Sequence, residues 1–420
     1  MQSIPSWPAP EVPHLAGSPV PVSLYDTALG VVAPLELDGN TARLYVCGIT
    51  PYDATHLGHA ATYLAFDTLV RALLQADANV EYAQNVTDVD DPLFERAAKV
   101  GRPWDEIAIE QTNLFRSGMT ALRVVPPRDY VRVQDVTEEI AAAVGALVEA
   151  GVGYTVPTDD AEGDGLDVYF DVAAAQQAGG FELGSMSHFS PEQLAAAFVE
   201  FGGDPDRPGK RNPLDPLLWR AAREGEPRWP SPVGEGRPGW HVECAVIATG
   251  ALGKSVTLQG GGRDLRFPHH EMTAAHATAM TGERFADRYA HAGLVAYDGT
   301  KMSKSLGNLV LVSKLTAAGH DPAAVRLAVL AHHYREDWEW HDADLTLAEN
   351  RLSRWRATAM RARDLEQAAD GAGLVTQMRE AIANDLDTPA AISIVDEWSE
   401  QAEPSAEVIA AVDALLGVEL

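Results

Sequence analysis

A β-type run, a helical pattern and a second β-type run follow one another closely in this chain, and their order constrains the fold more than any other feature. The first run covers residues 43–47 and ends at Gly48, the helical pattern extends from residue 57 to about 76, and the second run covers residues 80–86. Apolar residues recur every three or four positions through the helical pattern, which is typical of a helix with a buried face. A strand, a helix and a strand at this spacing form a βαβ unit. The sequence therefore predicts an α/β domain with a Rossmann-like parallel sheet.

Composition and periodicity divide the rest of the chain. Residues 1–40 carry Pro or Gly every few positions and are predicted to be an extended lead-in. We expect the first half of the α/β domain at 41–122 and its second half at 236–312, split by a connective insertion of less regular pattern at 123–235. Helical periodicity dominates beyond residue 321, so residues 313–420 are predicted to form a helical bundle.

The chain is strongly acidic, with 32 Lys and Arg against 61 Asp and Glu and a net charge of −29. Its last 60 residues hold three basic and 13 acidic residues. An acidic surface repels phosphate backbones and anionic membranes. The sequence shows no signal-peptide pattern and no apolar run near the ~18 residues of a membrane span, and its two cysteines fit a reducing compartment. We expect a cytoplasmic, monomeric enzyme that binds neither nucleic acid nor membrane.

The loop after the first β-type run carries two histidines, His56 and His59, in the string HLGH where the helix begins. A helix N-terminus beside the carboxyl end of a parallel strand is an anion site. Two imidazoles there can donate hydrogen bonds to phosphate oxygens as charge develops on them. The string is short, so a capped turn with surface histidines is an equally good interpretation of this motif alone.

A second motif, KMSKS at residues 301–305, places Lys301 and Lys304 three positions apart, with a glycine at position 307. Such a cationic loop can close over the β- and γ-phosphates of a nucleotide and neutralise departing pyrophosphate. The alternative is a solvated basic turn, which is the commoner meaning of a short run of charges. A concentrated basic loop in so acidic a chain, together with HLGH, favours the phosphate-binding interpretation.

The two cysteines are candidates for a metal site. Cys47 ends the first strand, Cys244 lies in the string GWHVEC, and His269 follows 25 residues later in FPHHE. Two thiolates and an imidazole suit Zn²⁺, and three protein ligands leave a position open for a substrate. No CxxC pair marks such a site, however, and on residue type alone two buried, unreactive cysteines are the simpler interpretation.

Two further strings follow predicted strands. In NVTDVDD at residues 85–91, we assign Asn85 and Thr87 to a ligand site and the aspartates at 90 and 91 to capping of the next helix. In GGGRD at residues 260–264, the glycines allow a ligand to approach the backbone closely, although a plain tight turn is the alternative.

Taken together, HxGH and KMSKS are the signature of class I aminoacyl-tRNA synthetases, which activate an amino acid as its adenylate. The strings CGITPYDATHLGHA, NVTDVDD, PGWHVEC, GGGRDLRFPHHE and KMSKSLGN, in this order from about residue 41 to 345, resemble the cysteinyl-tRNA synthetase set. The resemblance implies a class I synthetase-type sheet split by an insertion and followed by a helical bundle. It also implies ATP as substrate, Mg²⁺ with the ATP and one Zn²⁺ per chain on Cys47, Cys244 and His269.

The resemblance also implies roles for individual residues. The catalytic residues that it implies are His56, His59, Lys301 and Lys304, and we add Asp264 as a hypothesis. The residues that it places against the adenylate are Cys47, Gly48, Ile49, Thr50, Thr62, Asn85, Val86, Thr87, Trp240, Gly262, Arg263, Asp264 and Val295. Asp264 would accept a proton from the attacking amine, or alternatively cap the next turn.

Departures from the tRNA synthetase pattern point to a shortened relative. Thr273 stands where that family has a fourth zinc ligand, Glu, while Phe201 and Ala61 each replace an Arg, and only about 115 residues follow Lys304. These features match the cysteine ligases of mycothiol biosynthesis, which join L-cysteine to the amine of glucosaminyl-inositol through cysteinyl adenylate. A truncated cysteinyl-tRNA synthetase with tRNA as acceptor, and a non-catalytic relative that binds nucleotide or metal, remain alternatives.

Overall fold

The computed structural model describes residues 2–52, 55–163, 165–297, 299–302, 308–363, 370–401 and 404–420, and the side chains of 301, 362, 363 and 401 lie outside this description. In chain order its strands are β1 Ser23–Asp26, β2 Val31–Pro34, β3 Thr41–Ile49, β4 Asn79–Val86, β5 Asp129–Arg132, β6 Gly153–Pro157, β7 Leu166–Phe170, β8 Leu217–Ala221, β9 Gly236–Pro238, β10 Val256–Gly262, β11 Ala286–Ala292, β12 Val295–Tyr297, β13 Thr300–Lys301 and β14 Trp338–Glu339.

The helices of the same residues are α1 Leu57–Gln75, α2 Asp91–Val100, α3 Trp104–Ala121, α4 Thr137–Glu149, α5 Val172–Ala178, α6 Pro191–Glu200, α7 Trp240–Leu252, α8 Glu271–Thr281, α9 Val312–Ala317, α10 Pro322–Leu330, α11 Asp342–Arg363, α12 Ala372–Ala383, α13 Thr388–Gln401 and α14 Ala406–Leu416. None of these helices has both the length and the apolar character needed to cross a bilayer.

A five-stranded sheet in the order β11-β10-β3-β4-β5 forms the centre of the described structure, and all its pairings are parallel. The predicted βαβ unit is β3, α1 and β4, so this prediction is confirmed. Most of α1 is buried, because its apolar residues occupy more than one face. The predicted α/β fold class with a Rossmann-like parallel sheet is therefore correct.

Two strands of this sheet differ from the prediction. β5 pairs with β4 in the central sheet, although residues from 123 onward were assigned to the insertion. The sequence predicts a strand near residues 292–296, whereas β11 covers Ala286–Ala292. Both strands lie at the edges of the sheet and contain charged residues, which interrupt the apolar runs that mark buried parallel strands. The inserted segment therefore starts after residue 132.

The insertion contributes β6, β7 and β8 to an antiparallel sheet in the order β6-β7-β8-β9, whose last strand begins just past the predicted boundary at residue 235. Its buried residues, including Phe170 and Trp219, share one apolar cluster with α4 and with α7 of the α/β domain. The insertion thus packs against the helix that carries Cys244, and it fixes that helix against the central sheet.

The N-terminal residues are more ordered than an extended lead-in. β1 and β2 form an antiparallel pair, and the side chains of Trp7, Leu15 and Val22 are buried. The Trp7 indole Nε1 donates to the carbonyl of Val124 at 2.8 Å. The frequent prolines remove backbone donors without preventing burial of the apolar residues between them.

Helices α10 to α14 form the predicted C-terminal bundle. A buried ion network joins this bundle to α1: the Asp67 carboxylate pairs with Arg71 at 2.8 Å and with Arg326 of α10. The remaining guanidinium donors of Arg71 reach the carbonyls of Asp413 at 2.9 Å and Arg123 at 2.7 Å. One carboxylate thus connects the first helix of the α/β domain with the end of the chain.

Candidate active site

The carboxyl ends of β3 and β4 meet at one edge of the central sheet and hold Gly48, Asn85 and Thr87. The Gly48 amide donates to Asn85 Oδ1 at 2.8 Å, and Asn85 Nδ2 donates to Thr87 Oγ1 at 2.8 Å. A Cβ atom on Gly48 would lie 1.7 Å from the Asn85 carbonyl oxygen, so only glycine fits there. Backbone and side-chain polar groups are therefore fixed at the edge where parallel sheets bind ligands. Ile49 and Val86, the remaining residues predicted for this edge, pair across the two strands.

Cys47, Cys244 and His269 come together from three separate elements. Their candidate ligand atoms all lie within 4.8 Å of one another, and all three residues are buried. Burial and the neighbouring Cys244 sulfur raise the pKa of the Cys47 thiol well above its usual value. Two adjacent thiolates in a desolvated place therefore need a cation, and the donor set of two sulfurs and an imidazole fits Zn²⁺.

Trp240 and His241 hold the His269 ring in place. The Trp240 and His269 rings stack with centroids 4.1 Å apart, and the Nδ1 atoms of His241 and His269 are 3.0 Å apart. Burial lowers the pKa of His269 well below its usual value and that of His241 to about 3, so both imidazoles are neutral, the form that binds metals. His241 lies inside the GWHVEC string, but its residue type and position alone did not mark it as a site residue.

Thr273 occupies the position of the fourth ligand in the cysteinyl-tRNA synthetase pattern. Its side chain is fully buried, and its hydroxyl donates to the carbonyl of His241 at 3.4 Å. It therefore supports the segment that carries Trp240 and His241. Among the described residues, the group that fits a metal comprises only Cys47, Cys244 and His269.

The two histidines of HLGH lie at the start of α1. Their rings stack with centroids 3.9 Å apart, and His56 Nδ1 accepts the amide of Gly58 at 3.1 Å as the N-cap of the helix. His56 is therefore the N-cap of α1 as well as the first histidine of the HLGH motif. The pair lies at a helix N-terminus, where backbone donors favour an anion.

The segment that follows KMSKS lies directly against HLGH. The Leu57 amide donates to the carbonyl of Val310 at 2.9 Å, and Asn308 Nδ2 donates to the carbonyl of Tyr297 at 3.0 Å. At the start of the motif, the backbone of Lys301 in β13 pairs with Ala296 in β12. Lys304 lies outside the described residues. The segment after the motif thus contacts the start of α1, some 240 positions away in sequence, and the residue at the start of the motif pairs with β12.

The end of β10 brings the glycine-rich string to the same edge. A Cβ atom on Gly262 would lie 2.6 Å from Asp264 Oδ1 and 3.8 Å from Thr62 Oγ1. The Arg263 guanidinium forms an ion pair with Asp337, which places this side chain against the segment before β14. Val295, predicted to contact the adenylate, is buried at the start of β12.

Asp90 caps α2, as predicted, and also contacts a predicted site residue. Its Oδ1 accepts the Asp91 amide at 2.9 Å, while its Oδ2 accepts the Thr50 hydroxyl at 3.1 Å. Burial and the neighbouring Asp91 raise the pKa of Asp90 to about 6. The contact with Thr50 was not predicted, because the capping role alone explained this aspartate.

Solved structures of class I synthetases share the fold. The chain is similar to Mycobacterium tuberculosis methionyl-tRNA synthetase in complex with methionyl-adenylate, with a TM-score of 0.62, 17% identity and coverage of 90% of this chain and 89% of that one. It is also similar to the Agrobacterium radiobacter LeuRS in a ternary complex with tRNA and LeuAMS, with a TM-score of 0.60 and 12% identity over 91% of this chain and 83% of that one. At these identities the likeness concerns the fold.

Sequence comparison is more specific. Residues 34–350 match the family model described as the tRNA synthetases class I (C) catalytic domain. The chain is 57% identical to the L-cysteine:1D-myo-inositol 2-amino-2-deoxy-alpha-D-glucopyranoside ligase of Clavibacter michiganensis, over 99% of this chain and 98% of the relative. It is 52% identical to the Micrococcus luteus protein of the same name, over 99% of both chains. The chain therefore belongs to the class I (C) synthetase family and, within it, to the AMP-forming carbon–nitrogen ligases of mycothiol biosynthesis, a shortened branch related to cysteinyl-tRNA synthetase.

Proposed function

We propose that this enzyme joins L-cysteine to the amine of glucosaminyl-inositol through a cysteinyl-adenylate. The observation that carries the proposal is the buried group of Cys47, Cys244 and His269 next to the sheet edge that holds Gly48 and Asn85. Zn²⁺ on these three residues would supply a soft Lewis acid that binds the substrate thiolate. Serine's hydroxyl competes poorly for such a centre at neutral pH, so an editing site is not needed.

The first half-reaction forms the adenylate. The cysteine carboxylate attacks the α-phosphorus of ATP, and the bond to the bridging oxygen of pyrophosphate breaks. His56 and His59 donate hydrogen bonds to the phosphates, while Lys301 and Lys304 neutralise the leaving pyrophosphate. Mg²⁺ bound with ATP would offset part of the same phosphate charge. The contact between Leu57 and Val310 supports the assignment of the histidines and lysines, because it joins the segment that follows the KMSKS motif to the start of α1, where the histidines lie.

The second half-reaction forms the amide. The sugar amine attacks the cysteinyl carbonyl carbon, AMP leaves with the bonding electrons, and the amine loses a proton. We assign Asp264 to accept this proton, and Thr50, Trp240 and Asp264 to orient the cysteine and the acceptor amine. An aminosugar needs no basic groove, which agrees with a chain charge of −29.

The alternative acceptor is tRNA, which would make the protein a truncated cysteinyl-tRNA synthetase. Both acceptors share the first half-reaction, so pyrophosphate exchange does not separate them. We expect zinc-replete enzyme with ATP and cysteine to release AMP faster when glucosaminyl-inositol is added, and to show no response to tRNA. AMP formation is measured by chromatography. Stimulation by tRNA alone would favour the alternative, and no turnover with either acceptor would favour a non-catalytic relative.

Replacing His59 by alanine is expected to slow cysteine-dependent ATP–pyrophosphate exchange. A hydrogen bond to a charged group contributes about 1.5–3 kcal/mol, so we expect a loss of roughly 10- to 100-fold. His14→Gln is the control, because the His14 side chain is 70% exposed and pairs only weakly with Asp77, at 3.9 Å. Exchange at the wild-type rate in the His59 variant would remove this residue from the mechanism.

A further inference from the structure

Asp90 uses both carboxylate oxygens, and each contact restrains it. Oδ1 accepts the Asp91 amide at 2.9 Å, and Oδ2 accepts the Thr50 hydroxyl at 3.1 Å. The first contact fixes the carboxylate at the N-terminus of α2, and the second extends it to the end of β3. Asp90 is therefore a rigid bridge between a helix start and a predicted substrate-binding residue.

This bridge determines which way the Thr50 hydroxyl can bond. With a pKa of about 6, raised by burial and Asp91, Asp90 is ionised at neutral pH and only accepts hydrogen bonds. A hydroxyl has a single hydrogen, and Thr50 donates it to Asp90. Once that hydrogen is used, the Thr50 oxygen has only its lone pairs to offer. Thr50 is therefore a hydrogen-bond acceptor toward any ligand.

The acceptor lies beside a carboxylate, because Asp90 itself accepts the Thr50 hydrogen. The neighbouring Asp91 pairs with the guanidinium of Arg237, which also pairs with Glu226 at 2.8 Å. A lone-pair acceptor beside a carboxylate favours a ligand group that donates and carries positive charge, which an ammonium does.

We propose that Asp90 is a positioning residue that turns the Thr50 hydroxyl so that its oxygen accepts an N–H of the α-ammonium of bound cysteine. This inference rests on the proposed function, in which Thr50 orients the cysteine amine. It adds the group that sets the direction of that hydrogen bond. Asp90 does not itself touch the reacting atoms.

The test compares L-cysteine with 3-mercaptopropionate, which keeps the thiol and the carboxylate but has no amine. Dissociation constants for both thiols are measured by titration calorimetry on zinc-loaded wild type, Asp90→Asn, Thr50→Val and the double variant. Asparagine caps helices as well as aspartate does, so Asp90→Asn keeps α2. We expect Asp90→Asn to weaken cysteine about tenfold and to leave 3-mercaptopropionate unchanged. The double variant should be no weaker than Thr50→Val, because Asp90 acts through Thr50.

The control is Asp387→Asn in the C-terminal bundle, where Asp387 Oδ1 accepts the Ala390 amide at 2.9 Å in a comparable contact. This variant should bind both thiols as the wild type does. Equal weakening of both thiols by Asp90→Asn, additive losses in the double variant, or unchanged cysteine affinity would each overturn the inference alone. A zinc-loaded wild type that binds neither thiol would overturn the proposed function and the inference with it.

Discussion

Replacement of Cys244 by serine is expected to release the zinc and, with it, the selective binding of cysteine. Zinc sites of small domains bind with about 10–16 kcal/mol, so one ligand among three or four accounts for roughly 3–4 kcal/mol, or about 10²- to 10³-fold in affinity. A serine hydroxyl stays protonated where a thiolate would bind the ion. Zinc content after dialysis against a competing chelator measures the loss without reference to activity.

Both cysteines of the chain belong to the metal group, so the matched control uses histidines. His269→Gln should lose zinc as Cys244→Ser does. His276→Gln should retain it, because His276 is equally buried on α8 but outside the group of ligands. Stoichiometric zinc in Cys244→Ser, or a wild type that binds serine as well as cysteine, would contradict the metal assignment.

The sequence predicted the core of the fold because two short β-type runs stand on either side of a long helical pattern, and these became β3, α1 and β4. The polar residues Asn85 and Thr87 stand at or just after the end of β4, where a ligand site was expected. β5 and β11 were not predicted correctly, because an edge strand tolerates charged residues on its exposed side and so lacks a continuous apolar run. The hairpin of β1 and β2 was not predicted, because the prolines and glycines around it are typical of segments without regular secondary structure.

The candidate site was harder to predict, because its residues meet only through tertiary structure. Spacing alone favoured inert cysteines, and it was the resemblance to a family that joined Cys47, Cys244 and His269 into one group. The structure brings their ligand atoms together. The site roles of His241 and Asp90 were not predicted, because the local sequence around each residue already accounts for its presence. Their contacts with His269 and Thr50 join residues 28 and 40 positions apart.

A large loss of stability is expected from a substitution at the junction between the α/β domain and the helical bundle. Asp67→Asn is expected to lower the free energy of unfolding by about 3–5 kcal/mol, because it leaves Arg71 and Arg326 buried without their counter-charge. Urea unfolding followed by circular dichroism measures the change. Glu283→Gln, which breaks the exposed pair with Lys254, is the control and should change stability by less than about 1 kcal/mol.

The difference in the free energy of unfolding between wild type and Asp67→Asn should depend on pH if its origin is electrostatic. Burial alone would raise the pKa of Asp67, but Arg326, Arg71 and the hydrogen bond from the Val125 amide more than offset burial and hold the pKa below its usual value. A carboxyl whose pKa is depressed by folding stabilises the protein above its unfolded pKa of about 3.9, and this contribution is lost as the pH falls through the folded pKa. The stability difference between wild type and Asp67→Asn should therefore stay constant from pH 7 to about 5 and shrink below about pH 4. A protonated carboxyl and an amide are both neutral and have nearly the same shape, so a difference that persists undiminished in acid would contradict the electrostatic origin.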